Sequence, residues 1–431
     1  MIKVKGFKGV VYNKDKIKNF GLVTAPPYDV ISPKERGELY KKSDYNVIRL
    51  ILGKMYKSDN KKSNRYSRAA GYIEKWMAKD VLIRDNEPTL YVYLQEFTDP
   101  QTKKRVKRLG FIGHFVLQEF KNKNIYPHEW TLSKPKADRF ELIKATSSNY
   151  SPVFSLFSDK NKKVDNILKK SLKSKADIKV KDSDKAVHAV YRINDKKIID
   201  SIQKELSNKK LFIADGHHRY ETALNYKKHV KKLGKKAESI SSDATLMYFT
   251  NLNGKGLKIY PIHRSVRNLS KNTLKNLISN LEKYFDVEII NSKKTMLKKV
   301  LSAKTGNYMF GMYLTNKFYI LKLKDKKIIA EAAGKKKAAN VDKLNVSLLH
   351  NLIINKILKA DFEDDVYYLK NPDTVIKDVD LKKNRVGFFL AAITTEEIVK
   401  AALNSERLPR KSTYFYPKLY SGLVINKMNR P

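Results

Sequence analysis

The sequence predicts an α+β fold of the mixed α/β type. Three observations support this: apolar runs of strand length alternate with segments of helical period, both kinds recur along the whole chain, and 42% of the 431 residues are hydrophobic. A chain of this length has room for about two to four domains and a buried core. The 25 Tyr and 18 Phe residues are typical of a folded globular protein.

The N-terminal region begins with a strand-like segment, MIKVKGFKGVVY, and continues with a proline-rich turn. Ser32 followed by Pro33, with Glu35 three residues after the serine, predicts a capped helix start. The apolar run 47–53 predicts a buried strand, and 65–79 carries apolar residues at helical spacing. The sequence therefore indicates strands and helices mixed from the outset.

The middle of the chain begins with two strand-type segments, 90–97 and 106–117, which are joined by a charged turn and predict a β-hairpin. A loop rich in proline and ionisable residues follows, containing His128, Glu129 and Arg139. Polar chemistry on a constrained loop is typical of a binding loop on a scaffold. Strand character returns at 151–157.

The C-terminal region alternates helix and strand, with a short strand predicted at 374–379, an apolar strand-type run at 386–393 and a final helix at 395–405. The segment 408–422 combines three consecutive aromatics, two prolines and three basic residues, so we expect it to pack back onto the body. Soft boundaries near 150 and 300 predict three α/β subdomains, 1–150, 151–300 and 301–431.

The net charge of +45 suggests affinity for polyanions. However, the 73 lysines greatly outnumber the 16 arginines and occur nearly everywhere, as a general lysine bias would produce. Base-reading surfaces rely more on arginine, so a nucleic-acid function is not favoured. No cysteine is present, which excludes disulfides, thiolate zinc sites and cysteine nucleophiles. No apolar run is long enough to span a bilayer, and the expected location is the cytoplasm, without a membrane partner.

The stretch 209–228 carries the strongest functional signal. Leu211–Ala214 reads as a strand, Asp215-Gly216-His217-His218-Arg219 as a turn, and a helical pattern begins at Tyr220. The N-terminus of a helix presents unpaired N–H groups and the positive end of the helix dipole, which favour an anion such as phosphate. The turn could also be purely structural, with the aspartate capping the helix. Adjacent histidines point apart on a turn, so phosphate binding or acid–base work is favoured over zinc.

Further candidate residues lie on other polar loops. Asp29 follows two prolines, and Lys411-Ser412 resembles the end of a phosphate-binding loop but lacks the glycines that such a loop needs. The remaining candidates are ionisable residues on the predicted loops: His128, Glu129, Arg139, His263, Arg264 and Lys418.

Six motifs occur in order along the chain: PPYDVIS, YPHEWT with PKADR, SPVFSLF, ADGHHRYETAL, PIHR and KSTYFYPKLYSGL. Together they resemble a widespread bacterial and archaeal family known as domain of unknown function number 1015, over about residues 6–425. The DGHHR turn is also similar to a turn in the ParB and sulfiredoxin superfamily, where a G-x-x-R sequence at a helix N-terminus binds nucleotide phosphates. The resemblance implies a ParB/sulfiredoxin-like core within 151–300.

Proteins related to that superfamily include kinases of free L-serine. The resemblance therefore implies phosphoryl transfer from ATP, with Mg²⁺, to a hydroxyl such as that of free serine, giving O-phosphoserine. In this interpretation the nucleotide is bound by Asp215, Gly216, His217, His218, Arg219, Lys411 and Ser412. Glu129 or Asp29, with His217 and His218, carries the catalysis, and Asp215 holds Mg²⁺ or caps the helix. The substrate is contacted by His128, Arg139, His263, Arg264 and Lys418, and the segment KSTYFYPK closes the site.

Two other functions stay open at this point. A ParB-like nucleotide-binding protein associated with nucleic acid, acting as a CTPase or nuclease, would use the high positive charge. A binding module that senses a nucleotide without turnover would use the same glycine turn.

Overall fold

The computed structural model describes residues 1–172, 174–303, 306–381 and 385–428. Their contacts group into two compact units. Unit 1 comprises residues 1–127, 131–257 and the segment from Pro417 onward, whereas unit 2 comprises 128–130 and 258–416. Helices and strands are mixed in both units, which confirms the predicted α+β class. The three-part division at 150 and 300 stays a prediction.

Unit 1 contains thirteen strands and seven α-helices within the described residues. The strands are β1 (Val4–Lys5), β2 (Val10–Tyr12), β3 (Leu82–Arg84), β4 (Leu90–Thr98), β5 (Arg105–Val116), β6 (Ile125–Tyr126), β7 (Ser148–Asn149), β8 (Val153–Phe157), β9 (Ile178–Lys181), β10 (Val187–Ile193), β11 (Leu211–Asp215), β12 (Ala244–Asn251) and, after unit 2, β21 (Asn426–Lys427). The helices are α1 (Pro33–Lys42), α2 (Ile48–Ile51), α3 (Arg65–Ala78), α4 (Ser133–Thr146), α5 (Lys163–Lys170), α6 (Lys196–Leu206) and α7 (His217–Leu233).

The main sheet of unit 1 has nine strands in the order β6-β11-β8-β12-β5-β4-β10-β9, with β1 added alongside β5. The pairs β6–β11 and β8–β12 are parallel and the other pairs are antiparallel. The predicted hairpin is confirmed as β4–β5. Because β11 lies between β6 and β8, its C-terminal end, which carries the DGHHR turn, is held on both sides by neighbouring strands.

Two large buried clusters form most of the core of unit 1, beside a smaller one around Tyr226. One lies on the main sheet, where Phe111, Phe115 and Phe249 pack with residues of α5, α6 and α7. The other is built by the N-terminal segment around Trp76 of α3 and includes Ile425 from beyond unit 2. Burial of these apolar side chains supplies the main driving force for folding.

The N-terminal predictions had mixed outcomes. The capping box of Ser32 and Glu35 is present at the start of α1. The predicted strand at 47–53 is wrong, because Ile48–Ile51 forms the short helix α2. The side chain of Asn46 accepts a hydrogen bond from the backbone N–H of Ile48, which favours a helical turn over an extended chain. A short apolar run does not distinguish the two states by its period alone.

Unit 2 contains eight strands and seven α-helices within the described residues. The strands are β13 (Lys258–Tyr260), β14 (His263–Val266), β15 (Phe285–Ile290), β16 (Met309–Leu314), β17 (Lys317–Leu323), β18 (Val366–Leu369), β19 (Val386–Phe389) and β20 (Tyr414–Tyr416). The helices are α8 (Lys271–Lys275), α9 (Leu277–Glu282), α10 (Lys293–Leu301), α11 (Ile328–Ala332), α12 (Asn345–Leu348), α13 (Pro372–Asp380) and α14 (Thr395–Leu403), and a π-helical segment, Leu349–Leu358, continues α12.

Unit 2 is organised on a six-stranded antiparallel sheet in the order β15-β17-β16-β19-β14-β18. Side chains of α10 and α13 pack on it around Phe389. The predicted final helix is confirmed as α14. The predicted strand at 374–379 is wrong, because these residues belong to α13, which begins with Pro372 and is capped by the side chain of Asn371.

None of the helices within the described ranges is both long and apolar enough to cross a membrane.

Gly110 of β5 allows β12 to approach closely. A Cβ at this position would lie 2.3 Å from the carbonyl oxygen of Phe249 and 2.5 Å from Cζ of Tyr248. We therefore expect Gly110→Ala to lower the free energy of unfolding by about 1–3 kcal/mol, measured by urea denaturation. The matched control is Gly71→Ala in α3, where a Cβ has nothing within 4 Å, and it should raise stability by roughly 0.5–1 kcal/mol. Equal stabilities of the two variants would contradict this packing.

Candidate functional site

The DGHHR sequence forms the junction between β11 and α7. The β11–β8 register shifts between Ile213 and Asp215, and such a bulge changes the direction of the end of the strand. Gly216 follows with φ +86°, a left-handed conformation that glycine adopts most readily, and α7 begins at His217. The strand–turn–helix order predicted from the sequence is therefore correct, although the helix begins three residues earlier than its apolar pattern indicated.

Gly216 also makes room for Arg219. A Cβ at position 216 would lie 2.8 Å from Cζ of Arg219, so the guanidinium packs directly over the glycine. Gly216 is the N-cap residue of α7 and has no side chain to cap the helix. The alternative in which Asp215 is the helix cap is wrong, because Asp215 is the last residue of β11 and its carboxylate is engaged by cations.

Two cations hold the carboxylate of Asp215. Nζ of Lys418 donates to Oδ1 and a terminal nitrogen of Arg219 donates to Oδ2, each at 2.7 Å. Burial alone would raise the pKa of this carboxyl group, but the charges of Lys418 and Arg219 hold its pKa well below the usual range. Arg219 also donates to the carbonyl oxygen of Pro152. One negative charge thus faces two positive charges beside the positive end of the α7 dipole.

A buried polar network fixes the segment that carries Lys418. Gln95 of β4 donates to the carbonyl oxygen of Lys418 at 3.0 Å, and Arg108 of β5 donates to that of Pro417. Nε of Arg108 also donates to Oε1 of Gln95 at 2.9 Å, and both side chains are buried. The main sheet therefore positions the lysine that contacts Asp215.

The two histidines of the motif have different environments. His217 is buried at the start of α7. Nε2 of His218 accepts a hydrogen bond at 2.9 Å from the backbone N–H of Leu132, the N-cap residue of α4. This ring nitrogen carries no proton, so the neutral tautomer protonated at Nδ1 is present. His218 thereby ties the start of α4 to α7.

Glu221 strengthens the same connection. Its Oε2 accepts from the hydroxyl of Thr131 at 2.7 Å and from Nζ of Lys136 at 3.0 Å. Sequence reasoning did not select Glu221, although it lies three residues after His218 and hence on the same face of α7. A search along that helical face would have found it.

Arg139 of α4 lies beside the N-terminal 26–32 loop. Its guanidinium is 4.0 Å from the centre of the Tyr28 ring, and one of its terminal nitrogens donates to the carbonyl oxygen of Ile51 at 2.7 Å. Burial raises the pKa of Tyr28 to about 12, so the phenol is neutral. The charge of Arg139 lowers this pKa and that of Asp29 raises it. Asp29 is exposed on the 3₁₀ turn Tyr28–Val30. Sequence reasoning did not select Tyr28, whose only signal is its place next to Asp29.

Asp138 links Arg139 to a second arginine. Its carboxylate accepts from Arg139, from Arg65 of α3 and, at 2.8 Å, from the hydroxyl of Tyr66. Burial would raise the pKa of Asp138, but Arg139 and its other partners lower it below its ordinary value. This carboxylate, like Asp215, contacts two cations.

The other sequence-predicted residues lie in unit 2. The carboxylate of Glu129 accepts a hydrogen bond from the backbone N–H of Lys411 at 2.9 Å. The carbonyl oxygen of His128 accepts one from the backbone N–H of Leu408 at 2.7 Å. Ser412 donates through its hydroxyl to the carbonyl oxygen of Pro409. These contacts fix 128–130 against the 408–413 segment within unit 2.

Arg264 is a fully buried cation in unit 2. It donates to the carbonyl oxygens of Ile262 and Lys411 and, at 3.2 Å, to Nε2 of His350. Burial lowers the pKa of Arg264 to about 10. No carboxylate within the described part of the chain contacts it. His263 beside it is also buried, and burial, helped by the Arg264 charge, lowers its pKa to about 3.

The predicted candidates therefore separate by unit. Unit 1 contains Asp29, Arg139, Asp215, Gly216, His217, His218, Arg219 and Lys418, and unit 2 contains His128, Glu129, His263, Arg264, Lys411 and Ser412. Within the ranges that the structure describes, no three His, Asp or Glu side chains are grouped as a metal-binding cluster.

Comparison with known proteins places the chain in a family. It belongs to the family described as "Protein of unknown function (DUF1015)", which matches residues 4–347. The family resemblance predicted from the six motifs is thus confirmed. No curated protein matches the chain.

Several solved structures show a distant likeness. A mutant free serine kinase in complex with AMP is 12% identical with a TM-score of 0.34, over 68% of this chain and 84% of that chain. A conserved hypothetical protein from Pyrococcus furiosus is 13% identical with a TM-score of 0.33, over 69% and 91%. SbnI from Staphylococcus aureus, truncated at its C-terminus, is 10% identical with a TM-score of 0.34, over 68% and 81%. At such scores, function has to be argued from the residues of this chain.

Removal of the Asp215 charge should destabilise unit 1. In Asp215→Asn, Arg219 and Lys418 would lose the negative charge that they share, so we expect the free energy of unfolding to fall by roughly 2–4 kcal/mol. Because the pKa of Asp215 is lowered in the folded state, its stabilisation is present above about pH 3.8 and is lost as pH falls through the folded-state pKa. The difference in the free energy of unfolding between the unmodified protein and the variant, measured by denaturation, should therefore become smaller below about pH 3.8.

The control for this experiment is Asp200→Asn, since Asp200 forms an exposed pair with Lys196 on α6. That variant should change stability by no more than about 0.5 kcal/mol. Equal losses in the two variants would mean that the Asp215 cluster contributes no more than an ordinary surface pair.

His263 should make stability depend on pH between 7 and 5. Its pKa is about 3 in the folded state and about 6.5 when unfolded, so the unfolded state binds more protons in this window and stability rises with pH. At pH 5 the cost from this residue is about 2 kcal/mol relative to pH 7. We expect His263→Leu to reduce the change in the free energy of unfolding between pH 7 and pH 5 by that amount. An unchanged slope would contradict the neutral, buried state of the ring.

Proposed function

We propose that this chain is a small-molecule kinase that transfers a phosphoryl group from ATP to a hydroxyl, with free L-serine as the acceptor. The observation that carries the proposal is the pair of cations at the glycine turn, where Arg219 and Lys418 both contact the carboxylate of Asp215. Cations next to the N-terminus of α7 favour an anion, and phosphate is the anion that such turns commonly bind. The amino-acid acceptor comes from the family resemblance.

The turn presents a fixed cation at the start of α7. Because Gly216 has no Cβ, the guanidinium of Arg219 packs over the turn, where contacts with Asp215 and Pro152 fix it. A preorganised cation stabilises the charge on the transferred phosphoryl group without reorganisation during the reaction. His217 and His218 are proposed to assist at the same helix end.

In the proposed reaction, the bond between the γ-phosphorus and the oxygen bridging it to the β-phosphate breaks. A new bond forms between that phosphorus and the acceptor hydroxyl oxygen, whose proton passes to a carboxylate. Asp29, which lies in the same unit as the turn, is the candidate base, and the catalytic role of Glu129 stays a prediction. The products are ADP and O-phosphoserine, which balances the phosphoryl group, the proton and the charge.

Mg²⁺ supplies charge neutralisation on the phosphates in reactions of this class. Asp215 is the proposed protein ligand, but both of its oxygens already accept from cations. Metal binding there requires Lys418 or Arg219 to move away, and no step above depends on it. The nucleotide roles of Lys411 and Ser412, and the substrate roles of His128, His263, Arg264 and Lys418, remain predictions.

The kinase proposal predicts that the purified chain consumes ATP only when a suitable acceptor is added. Incubation with ATP, Mg²⁺ and single amino acids should release ADP with serine, and mass spectrometry should detect O-phosphoserine. Arg219→Ala should lower kcat/KM by at least about 100-fold, because it removes charge that stabilises the transition state. Lys228→Ala, which alters an exposed residue of the same helix, is the matched control and should keep full activity.

Absence of ADP release with every amino acid and sugar tested would disprove the kinase proposal. Nucleotide binding without turnover would then favour a sensing module. The net charge of +45 keeps a nucleic-acid-associated function as the other alternative. That alternative requires DNA or RNA affinity that survives about 0.2 M salt, whereas general lysine bias predicts a steep loss of affinity.

A further inference from the structure

A small cavity with polar and apolar lining lies next to the glycine turn in unit 1. Its volume is about 50 Å³, and Tyr28, Arg139, Tyr150, Ser151, Arg219 and Thr222 contribute to its lining. A single water requires roughly 10–15 Å³ on the same measure, so the cavity has the space of about three to five waters, which suits a small molecule only. An amino acid of the size of serine suits this space, whereas a nucleotide does not.

Two arginines line the cavity, and each contacts a carboxylate that it shares with another cation. Asp138 contacts both Arg139 and Arg65, and Asp215 contacts both Arg219 and Lys418. Four cations thus share two carboxylates. The contacts made with described residues use three of the five N–H donors of Arg139 and two of the five of Arg219. Both guanidinium groups therefore retain donors for an anion.

Thr222 supplies an independent sign of a ligand. Its side chain is only 3% exposed, it lines the cavity, and its Oγ1 has no hydrogen-bond partner among the residues that the structure describes. Buried hydroxyl groups without a partner are uncommon, because the lost hydration is not replaced. A polar ligand in the cavity would satisfy Thr222 and use the free arginine donors together.

We propose that this cavity is the acceptor site and that Arg139, Arg219 and Thr222 bind the carboxylate of a small amino acid. Arginine matches a carboxylate with paired hydrogen bonds, and the apolar residues Leu142 and Ile143 of α4 complete the lining for a short stem. Arg219 lines the cavity and also packs over Gly216, so an acceptor bound here lies beside the turn proposed for the phosphates. This inference rests on the kinase function proposed above.

The sharing of Arg219 assigns different tasks to the two arginines. Arg219 contacts both ligands, whereas Arg139 lies in α4 and serves only the acceptor. Loss of Arg139 should therefore raise the KM for the amino acid and leave ATP affinity unchanged. Loss of Arg219 should affect both.

The test uses the full chain, with isothermal titration of serine, glycine and inorganic phosphate in the absence of nucleotide, followed by a separate titration of ATP. For Arg139→Lys we expect serine affinity to fall at least tenfold and ATP affinity to stay within twofold, because lysine keeps the charge but loses the planar donor pair. Thr222→Val, which retains the side-chain volume, should weaken serine binding several-fold without lowering the melting temperature. Lys144→Ala, at an exposed position of α4, is the control and should bind like the unmodified protein.

The outcomes separate this inference from the kinase proposal. If ATP turnover occurs but Arg139→Lys and Thr222→Val leave the KM for serine unchanged, the acceptor site is elsewhere and the kinase function stands. If no acceptor supports turnover but serine binds and both variants weaken it, the cavity assignment stands and the kinase function fails. Binding of inorganic phosphate alone, with no amino acid bound, would overturn the assignment in favour of a phosphate subsite.

Discussion

The contact of Asp215 with Arg219 and Lys418 is the interaction on which the candidate site depends. It joins the end of β11, the first turn of α7 and the segment after unit 2 through one carboxylate. Because the surroundings exclude most water, each charge interacts more strongly there than at the surface. The same carboxylate fixes two cations beside the N-terminus of α7, so one contact both anchors the chain and positions the charges proposed to bind an anion.

A second interaction of the same kind supports the neighbouring helix. His218 and Glu221 hold the start of α4, and α4 carries Arg139 towards Tyr28. The positions of Arg139 and Arg219 thus both depend on residues in the first two turns of α7. Precise positioning of charged groups by packed secondary structure is what a phosphoryl-transfer site requires, since the reaction depends mainly on geometry and electrostatics.

Much of the local structure was predictable, and most of the long-range structure was not. The β4–β5 hairpin, the Ser32 capping box and the strand–turn–helix at Gly216 all follow from patterns within neighbouring stretches of the sequence. The errors at 47–53 and 374–379 occurred where the side chains of Asn46 and Asn371 accept backbone hydrogen bonds at the start of a helix, which periodicity does not reveal.

The candidate site was predicted in its centre but not in its surroundings. The turn could be recognised because its glycine, histidines and arginine are consecutive. Lys418 and Arg139 could be named, but the contact of Lys418 with Asp215 and those of Arg139 with Tyr28 and Ile51 could not be predicted, since pairing across many residues leaves no local pattern. The buried Arg264 illustrates the same limit, because its sequence gives no indication that it lacks a carboxylate partner. Burial of such a cation is costly unless its donors are satisfied, here by carbonyl groups and His350.

The separation of Asp215 and Lys418 by 203 residues has a consequence for biosynthesis. Translation at about 5–20 residues per second places roughly 10–40 s between the synthesis of the carboxylate and that of its lysine partner. Throughout that interval the carboxylate of Asp215 can contact Arg219 but not Lys418, and all of unit 2 between 258 and 416 is produced before Lys418. The glycine turn thus acquires its full charge only late in the life of the nascent chain, after most of both units has left the ribosome.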